Sequence, residues 1–160
     1  MPESVFWIDC PGKLAIAARP RGNDWLQDEI VGLKKQGVDA IVSLLEETEV
    51  QELGLNQEAM LCKSNKIIFI SFPIPDYSVP QSVTRTKEVC LELSEYLKQG
   101  KSVLIHCRQG IGRSSIIAAV VLVSLGLTIY DALKIISEAR KRPVPETAEQ
   151  KFWLEKYFGS

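Results

Sequence analysis

Apolar residues gather in runs along this chain, and the spacing inside each run separates strands from helices. Four runs are rich in β-branched residues and either alternate or stay continuously apolar: Leu14 to Ala18, Ala40 to Leu44, Ile67 to Phe72, and Ser102 to His106. They predict the strands of a buried sheet. Two stretches between them have helical spacing, Trp25 to Gln36 and Val83 to Gln99, each ending beside a glycine, Gly37 or Gly100, that can adopt the left-handed C-terminal conformation. Asn56 to Lys63 reads as a shorter helix with Leu55, Ala59 and Cys62 on one side. After the fourth strand only helices follow: Gly112 to Leu125, Thr128 to Lys141, and Glu146 to Phe158. Thr128 is suited to cap the second of these, with Asp131 in its first turn. Strands alternating with helices, then a helical tail, predict an α/β fold with a central, mostly parallel sheet flanked by helices.

No repeat, low-complexity run or long linker divides the 160 residues. Residues 1–160 are therefore read as one domain, large enough to bury roughly two thirds of the surface its unfolded chain exposes. Acidic and basic residues nearly cancel at a formal net charge of -1, which speaks against a nucleic-acid partner. The opening MPESVFWIDC has neither a basic nor a sustained apolar region, so no secretory signal is expected. The apolar run Ile116 to Val123 is much shorter than the ~20 residues of a spanning helix, and the expected location is cytoplasmic. Cys10, Cys62, Cys90 and Cys107 are scattered without a CxxC pair, and His106 is the single histidine. Free thiols and no metal site are expected. The basic run Arg140-Lys141-Arg142, beside Pro143, reads as a solvated helix end.

The unusual residues concentrate in IHCRQGIGRSS, Ile105 to Ser115, between the last strand and the first helix of the tail. Open α/β sheets place ligands there, outside the carboxyl ends of strands. Gly110 and Gly112 let backbone N–H groups approach a ligand, and the helix that follows aims its positive end at the same point, so an anion is the expected guest. A Walker A loop fails because no lysine occurs between Lys101 and Lys134. A dinucleotide fingerprint fails because Ser115 stands where its third glycine belongs, and the next acidic residue, Asp131, falls in a helix.

Cys-x5-Arg-Ser accounts for the rest. A cysteine at a helix N-terminus, ringed by amide donors and near an arginine, is held as the thiolate that attack on phosphorus requires, and Cys107 meets those conditions. Five intervening residues let the loop Arg108, Gln109, Gly110, Ile111, Gly112 curl round one phosphate. Arg113 then returns to donate two parallel hydrogen bonds to phosphoryl oxygens, a fork that lysine lacks. The Ser114 hydroxyl can hydrogen-bond the sulfur and ease its departure as thiolate. His106 is expected to hold the loop and tune the neighbouring thiol, the alternative being an ordinary satisfied core histidine.

HCRQGIGRS resembles the HCxxGxxR[ST] signature of the cysteine-dependent phosphatases. Further segments, FWIDCPGKLAIAARP, DAIVSLLEE, FPIPDYSVP and RPVPETAEQKF, are similar to those of the small atypical dual-specificity phosphatases. The resemblance implies a protein-tyrosine-phosphatase-like sheet of four or five strands and a two-step hydrolysis through phosphocysteine. A leaving alkoxide or phenolate needs a proton from the far side of the phosphorus. Asp76 sits in PIPDYSVP, where Pro73, Pro75 and Pro80 restrict the backbone, and resembles the family's general acid; the alternative is a turn aspartate bonded to its own backbone. Gln150 resembles the glutamine with which some branches position the hydrolytic water, against an exposed helix glutamine. Glu46 and Glu47, after the second strand, could orient Arg113 but are read as solvated and left outside the site.

The expected substrates are phosphotyrosine and phosphoserine or phosphothreonine in proteins, with phosphate, sulfate or vanadate also binding the loop and no cofactor needed. Arg108 keeps a phosphoinositide or other non-protein phosphoester in view, although Ile111 stands where lipid-directed relatives have a second basic residue. A phosphate-binding module without turnover is the non-enzymatic alternative, against which Cys107, Arg113 and Asp76 all being present argues.

Overall fold

Alternation along the central strands divides the molecule into two cores. Leu14 and Ile16 face one side of the sheet and Ala15 and Ala17 the other; likewise Val103, Ile105 and Cys107 belong to the first core and Leu104 to the second. A period of two leaves no other choice for a strand buried on both faces.

The computed structural model describes residues 5–159. Five strands, β1 (Val5–Asp9), β2 (Lys13–Ala18), β3 (Ala40–Ser43), β4 (Ile68–Ser71) and β5 (Ser102–Cys107), form one sheet in the order β1-β2-β5-β3-β4. Every pairing is parallel except that of β1 with β2. The four expected strands are present with ends trimmed or extended slightly. β1 was not expected: its sequence, VFWID, carries the alternation but is only five residues long. It reaches its place through a tight reversal that only an antiparallel neighbour permits.

Seven helices cover the faces: α1 (Leu26–Lys35), α2 (Glu47–Glu52), α3 (Glu58–Ser64), α4 (Val83–Lys98), α5 (Arg113–Ser124), α6 (Ile129–Arg140) and α7 (Ala148–Phe158). The second core brings Leu26, Ile30 and Leu33 of α1 and Cys62 of α3 against Ala15, Ile41 and Leu104. The first brings α4 to α7 together on the opposite face. Gly37 and Gly100 take φ of +93° and +84°, just past α1 and α4. Thr128 accepts the Asp131 N–H at 3.1 Å and caps α6. The last helix starts at Ala148 rather than Glu146, because Thr147 is its N-cap and forms a capping box with Gln150. α2 went unforeseen; one and a half turns are too short for a periodicity to show.

α5 is buried on every side from Arg113 to Leu122. Burying each of its Ile and Val side chains contributes roughly 1.5–3 kcal/mol. The helix is thereby a fixed post, and its first residue, Arg113, is set against the end of β5. Among the described residues no helix is long and apolar enough to cross a membrane.

Candidate active site

β5 ends at Cys107 and α5 begins at Arg113, so the intervening loop is anchored at both ends in the middle of the protein. Three consecutive carbonyls of this loop are held from outside. Arg19 N–H donates to Arg108 O at 3.3 Å. Arg140 of α6 donates from Nη2 to Gln109 O at 3.3 Å and from Nε to Gly110 O at 2.9 Å, while its guanidinium lies 4.2 Å from the Phe6 ring centroid in β1. The Gly110 N–H turns the other way and donates to Cys107 Sγ at 3.2 Å.

Gly110 has φ +73°, and a Cβ there would meet Ala17 C at 2.6 Å and Ala17 O at 2.8 Å, both backbone atoms of β2. Glycine is required twice over, by conformation and by space. Arg140 therefore does more than end a solvated helix, the reading given to its basic run. It is half-buried, and burial together with Arg142 holds its basicity below that of an ordinary arginine despite the opposing pull of Cys107.

Cys107 is 3% exposed, and Ser114 Oγ lies 3.4 Å from its sulfur. Above it opens a hollow of about 280 Å³, counted out to its mouth, lined by the loop residues Cys107, Arg108, Gln109, Ile111 and Gly112 with Arg113, Asp76, Tyr77 and Glu146. Every loop position named in the sequence reading contributes to this hollow or to the sulfur. Asp76 is brought to it from the segment after β4, and its Oδ1 lies 3.0 Å from Arg113 Nη2 and accepts the Tyr77 N–H at 3.0 Å.

Arg113 is fully buried and its guanidinium is gripped from below. Nη1 donates to Glu49 Oε1 at 2.7 Å, to Ile74 O at 3.0 Å and, longer, to Leu44 O at 3.5 Å; Nη2 donates to Glu49 Oε2 at 3.0 Å. Burial alone pushes the Glu49 carboxyl up, but the Arg113 hydrogen bonds, the Glu46 N–H and the charges of Arg113 and Arg108 outweigh it and hold Glu49 below the usual carboxylate range. For Arg113, burial pulls down while Glu49 and Cys107 pull up harder, so it stays charged.

Glu49 was not among the expected site residues, and attention to Glu46 and Glu47 missed it by one helical turn. Glu46 instead caps α2, and Glu49 Oε1 accepts its N–H at 3.0 Å. A glutamate three residues after a capping glutamate at the end of a strand was the available signal. Arg108 also turns to this corner, its Nη1 3.5 Å from Glu49 Oε2 and its Nη2 3.5 Å from Glu52 Oε2.

Of the two expected supporting residues, Gln150 lies against the loop, where a Cβ on Gly112 would meet its Nε2 and Oε1 at 3.0 Å, while the His106 side chain faces away from it. Alternation puts His106 on the opposite face of the sheet from Cys107; its Nε2 meets Glu58 of α3 at 2.7 Å, and Nδ1 has no partner among the described residues. Its side chain pairs with no loop atom, and with Nδ1 unpartnered it is not a fully satisfied core histidine either. Gln150 is fully buried rather than an exposed helix residue. Its Oε1 accepts from the N–H of Glu146 and Thr147, both at 3.1 Å, and its Nε2 donates to Ser78 O at 3.0 Å. Those contacts staple the Asp76 segment to α7.

A family profile described as "Tc-R-P: Polymorphic toxin system, DSP-PTPase phosphatase" matches residues 15–127. Cyclin-dependent kinase inhibitor 3 of Rattus norvegicus is 26% identical over 170 residues, covering 98% of this chain and 79% of that protein. Protein tyrosine phosphatase PRL-1 of Leishmania major is 30% identical over 116 residues, 68% of this chain and 65% of that protein. Among solved structures, Tk-PTP in its active form superposes with a TM-score of 0.79 at 30% identity, covering 98% of this chain and 97% of that one. A kinase associated phosphatase, solved with its catalytic-site cysteine changed to serine, gives 0.87 at 24% identity, covering 96% and 92%, a likeness of fold.

Proposed function

We propose a two-step phosphoester hydrolysis, with named roles for the loop residues, in this chain, which belongs to the DSP-PTPase phosphatase family and is a small atypical dual-specificity phosphatase of the cysteine-dependent superfamily. Cys107 attacks phosphorus; a P–S bond forms and the P–O bond to the leaving group breaks, its electron pair staying on oxygen. Asp76 supplies the proton that this oxygen takes up. A water then attacks the phosphocysteine and gives its proton to Asp76; the P–S bond breaks, and the Ser114 hydroxyl donates to the departing thiolate.

One meeting of side chains carries this assignment: Cys107, 3% exposed at the base of the hollow, shares it with an ion pair of Arg113 and Asp76 at 3.0 Å. Nη1 and one side of Nη2 are taken up by Glu49, which leaves Nε and the Asp76 side of Nη2 as the two prongs for phosphoryl oxygens. An arriving phosphoryl group replaces the Asp76 carboxylate there, freeing Asp76 toward the leaving oxygen as substrate seats. The positive end of α5 and the Gly110 N–H favour the developing negative charge, so phosphate, sulfate and vanadate are ligands of the same hollow. Gln150, its amide beside Gly112 and its Nε2 donating to Ser78 O, ties the Asp76 segment to the rim of the loop.

Protein phosphomonoesters fit better than phosphoinositides, because Arg108 leans toward Glu49 and Glu52, which compete with a second phosphate for it. All four cysteines are unpaired, which suits a thiol enzyme in a reducing compartment such as the cytoplasm. The deciding assay compares wild type with Cys107→Ser on phosphotyrosyl, phosphothreonyl and phosphoinositide substrates. Turnover of phosphopeptides that vanishes in Cys107→Ser is expected; a phosphoinositide preferred over both peptides overturns the substrate assignment, and activity surviving Cys107→Ser overturns the mechanism.

A further inference from the structure

Beside the catalytic hollow lies a second one, built from the same two segments. It is an open trough lined by Val79, Glu149, Phe152, Trp153, Lys156 and Tyr157. Tyr77 lines the catalytic hollow and Val79 the second, a separation of two residues and at most about 7 Å of backbone. On the other wall Glu146 lines the first, and Glu149 and Phe152 line the second. The bond from Gln150 Nε2 to Ser78 O, 3.0 Å, ties the two walls together between the hollows. The two hollows thus share the same two wall segments, on either side of that bond.

The second hollow is mostly apolar. Trp153, 9% exposed, lies deepest and packs against Tyr157 with ring centroids 5.6 Å apart, whereas Phe152 and Tyr157 are 58% and 42% exposed. Phe152 and Tyr157 with Trp153 put three aromatic rings along this one wall, so the exposed apolar surface here is contiguous rather than scattered. Glu149 and Lys156 contribute one charge of each sign, so the trough lacks the basic excess by which an anionic lipid surface is recognised. An extended chain advances about 3.3 Å per residue, so the stretch from the Tyr77 wall to the Val79 wall, at most about 7 Å, corresponds to about two substrate residues.

We propose that the hollow between the Asp76 segment and α7 is a substrate-docking groove that takes an apolar side chain within about three residues of the phosphorylated one in a protein substrate. The proposal rests on the phosphatase reading above, and it makes Phe152 a specificity residue with no part in the chemistry.

A phosphotyrosyl peptide series tests it, with leucine placed singly at each of the three positions on either side and alanine elsewhere. Wild type, Phe152→Ser and Phe152→Leu are assayed on the series and on p-nitrophenyl phosphate, and binding of the same peptides to Cys107→Ser is measured by calorimetry. Leucine at one position is expected to raise kcat/KM about tenfold, chiefly through KM. Phe152→Ser abolishes that gain, Phe152→Leu keeps it, and p-nitrophenyl phosphate turnover is equal in all three, which shows the fold intact. Equal kcat/KM across the series, or a leucine preference that survives Phe152→Ser, overturns the groove. So does finding that Phe152→Ser loses only affinity for lipid vesicles, which makes the trough a membrane contact. Should wild type hydrolyse no phosphoester, the phosphatase reading falls and the binding arm still decides: a leucine dependence in Cys107→Ser supports the groove, and none refutes it.

Discussion

Arg113 and Glu49, 64 residues apart in sequence, meet in a two-pronged ion pair of 2.7 and 3.0 Å beneath the catalytic hollow. Because both side chains are buried, the pair is an all-or-nothing element: with either partner missing the other is left as an uncompensated buried charge. Glu49→Ala is therefore expected to cost about 3–5 kcal/mol. That lowers Tm by roughly 6–20 °C for a domain of this size. Thermal melts that superpose on wild type would show that Arg113 is held by other means.

The same pair sets an acid limit. Glu49's carboxyl is held below its ordinary value of 4.5, so the unfolded chain takes up its proton first as pH falls. Its contribution is complete above about 4.5 and is lost as pH drops through the lower, folded value. Denaturant melts between pH 6 and 3 are expected to show wild type losing stability over that lower range, with Glu49→Gln losing less. Equal pH slopes in the two proteins would remove Glu49 from the account.

Asp76 is needed in proportion to how badly the leaving oxygen needs a proton. Asp76→Asn is expected to slow hydrolysis of an alkyl phosphate or phosphothreonine by about 10²–10⁴-fold, and that of a strongly acidic phenol ester far less. Stopped-flow rates across a series of leaving groups measure the difference; a uniform slowing assigns the proton to another group.

Gly110→Ala forces an L side chain into φ +73° and a Cβ to 2.6 Å from Ala17 C. Because the obstacle is β2 backbone, the loop has to move instead, at a cost of about 1–3 kcal/mol. The Gly110 N–H then leaves the sulfur. Vanadate affinity, measured by inhibition, is expected to drop tenfold or more with the fold retained, and an unaffected affinity would mean the loop tolerates the shift.

Thiol labelling separates the cysteines. Burial pushes Cys62 up to about 12, raises Cys90 further and raises Cys10. At neutral pH those three are poor nucleophiles. Iodoacetate, an anion suited to the loop, is expected to label Cys107 first and to abolish activity in step with labelling, as read by peptide mass spectrometry. Peroxide should inactivate at the same residue, reversibly by reductant. Faster labelling of Cys62 or Cys90 would contradict the burial argument.

The longer contiguous runs of this protein are legible in its sequence. Cys107 to Ser114 sits between a strand pattern and a helix pattern, so its amides, its thiol and its arginine could be assembled on paper from bond geometry alone. Asp76 was reachable too, because three prolines mark its segment and the chemistry demands an acid. The strands Leu14 to Ala18 and Ser102 to His106 announced themselves by apolar content. β1 and α2 escaped because five or six residues hold too little of a period to stand out.

Other features belong to the tertiary structure alone. Glu49 reaches Arg113 only because β3 lies beside β5, Arg140 reaches Gly110 only because α6 crosses the loop, and Gln150 reaches Ser78 only because α7 packs beside the Asp76 segment. The same holds for His106: its neighbour in sequence is Cys107, but a strand sends adjacent side chains to opposite faces, and its Nε2 meets Glu58 of α3. Residue types and spacing along the chain determine which chemistry a loop can perform. Which distant carboxylates, carbonyls and rings hold that loop still is decided by how separate elements pack, a property of three-dimensional neighbours that no local run of residues contains.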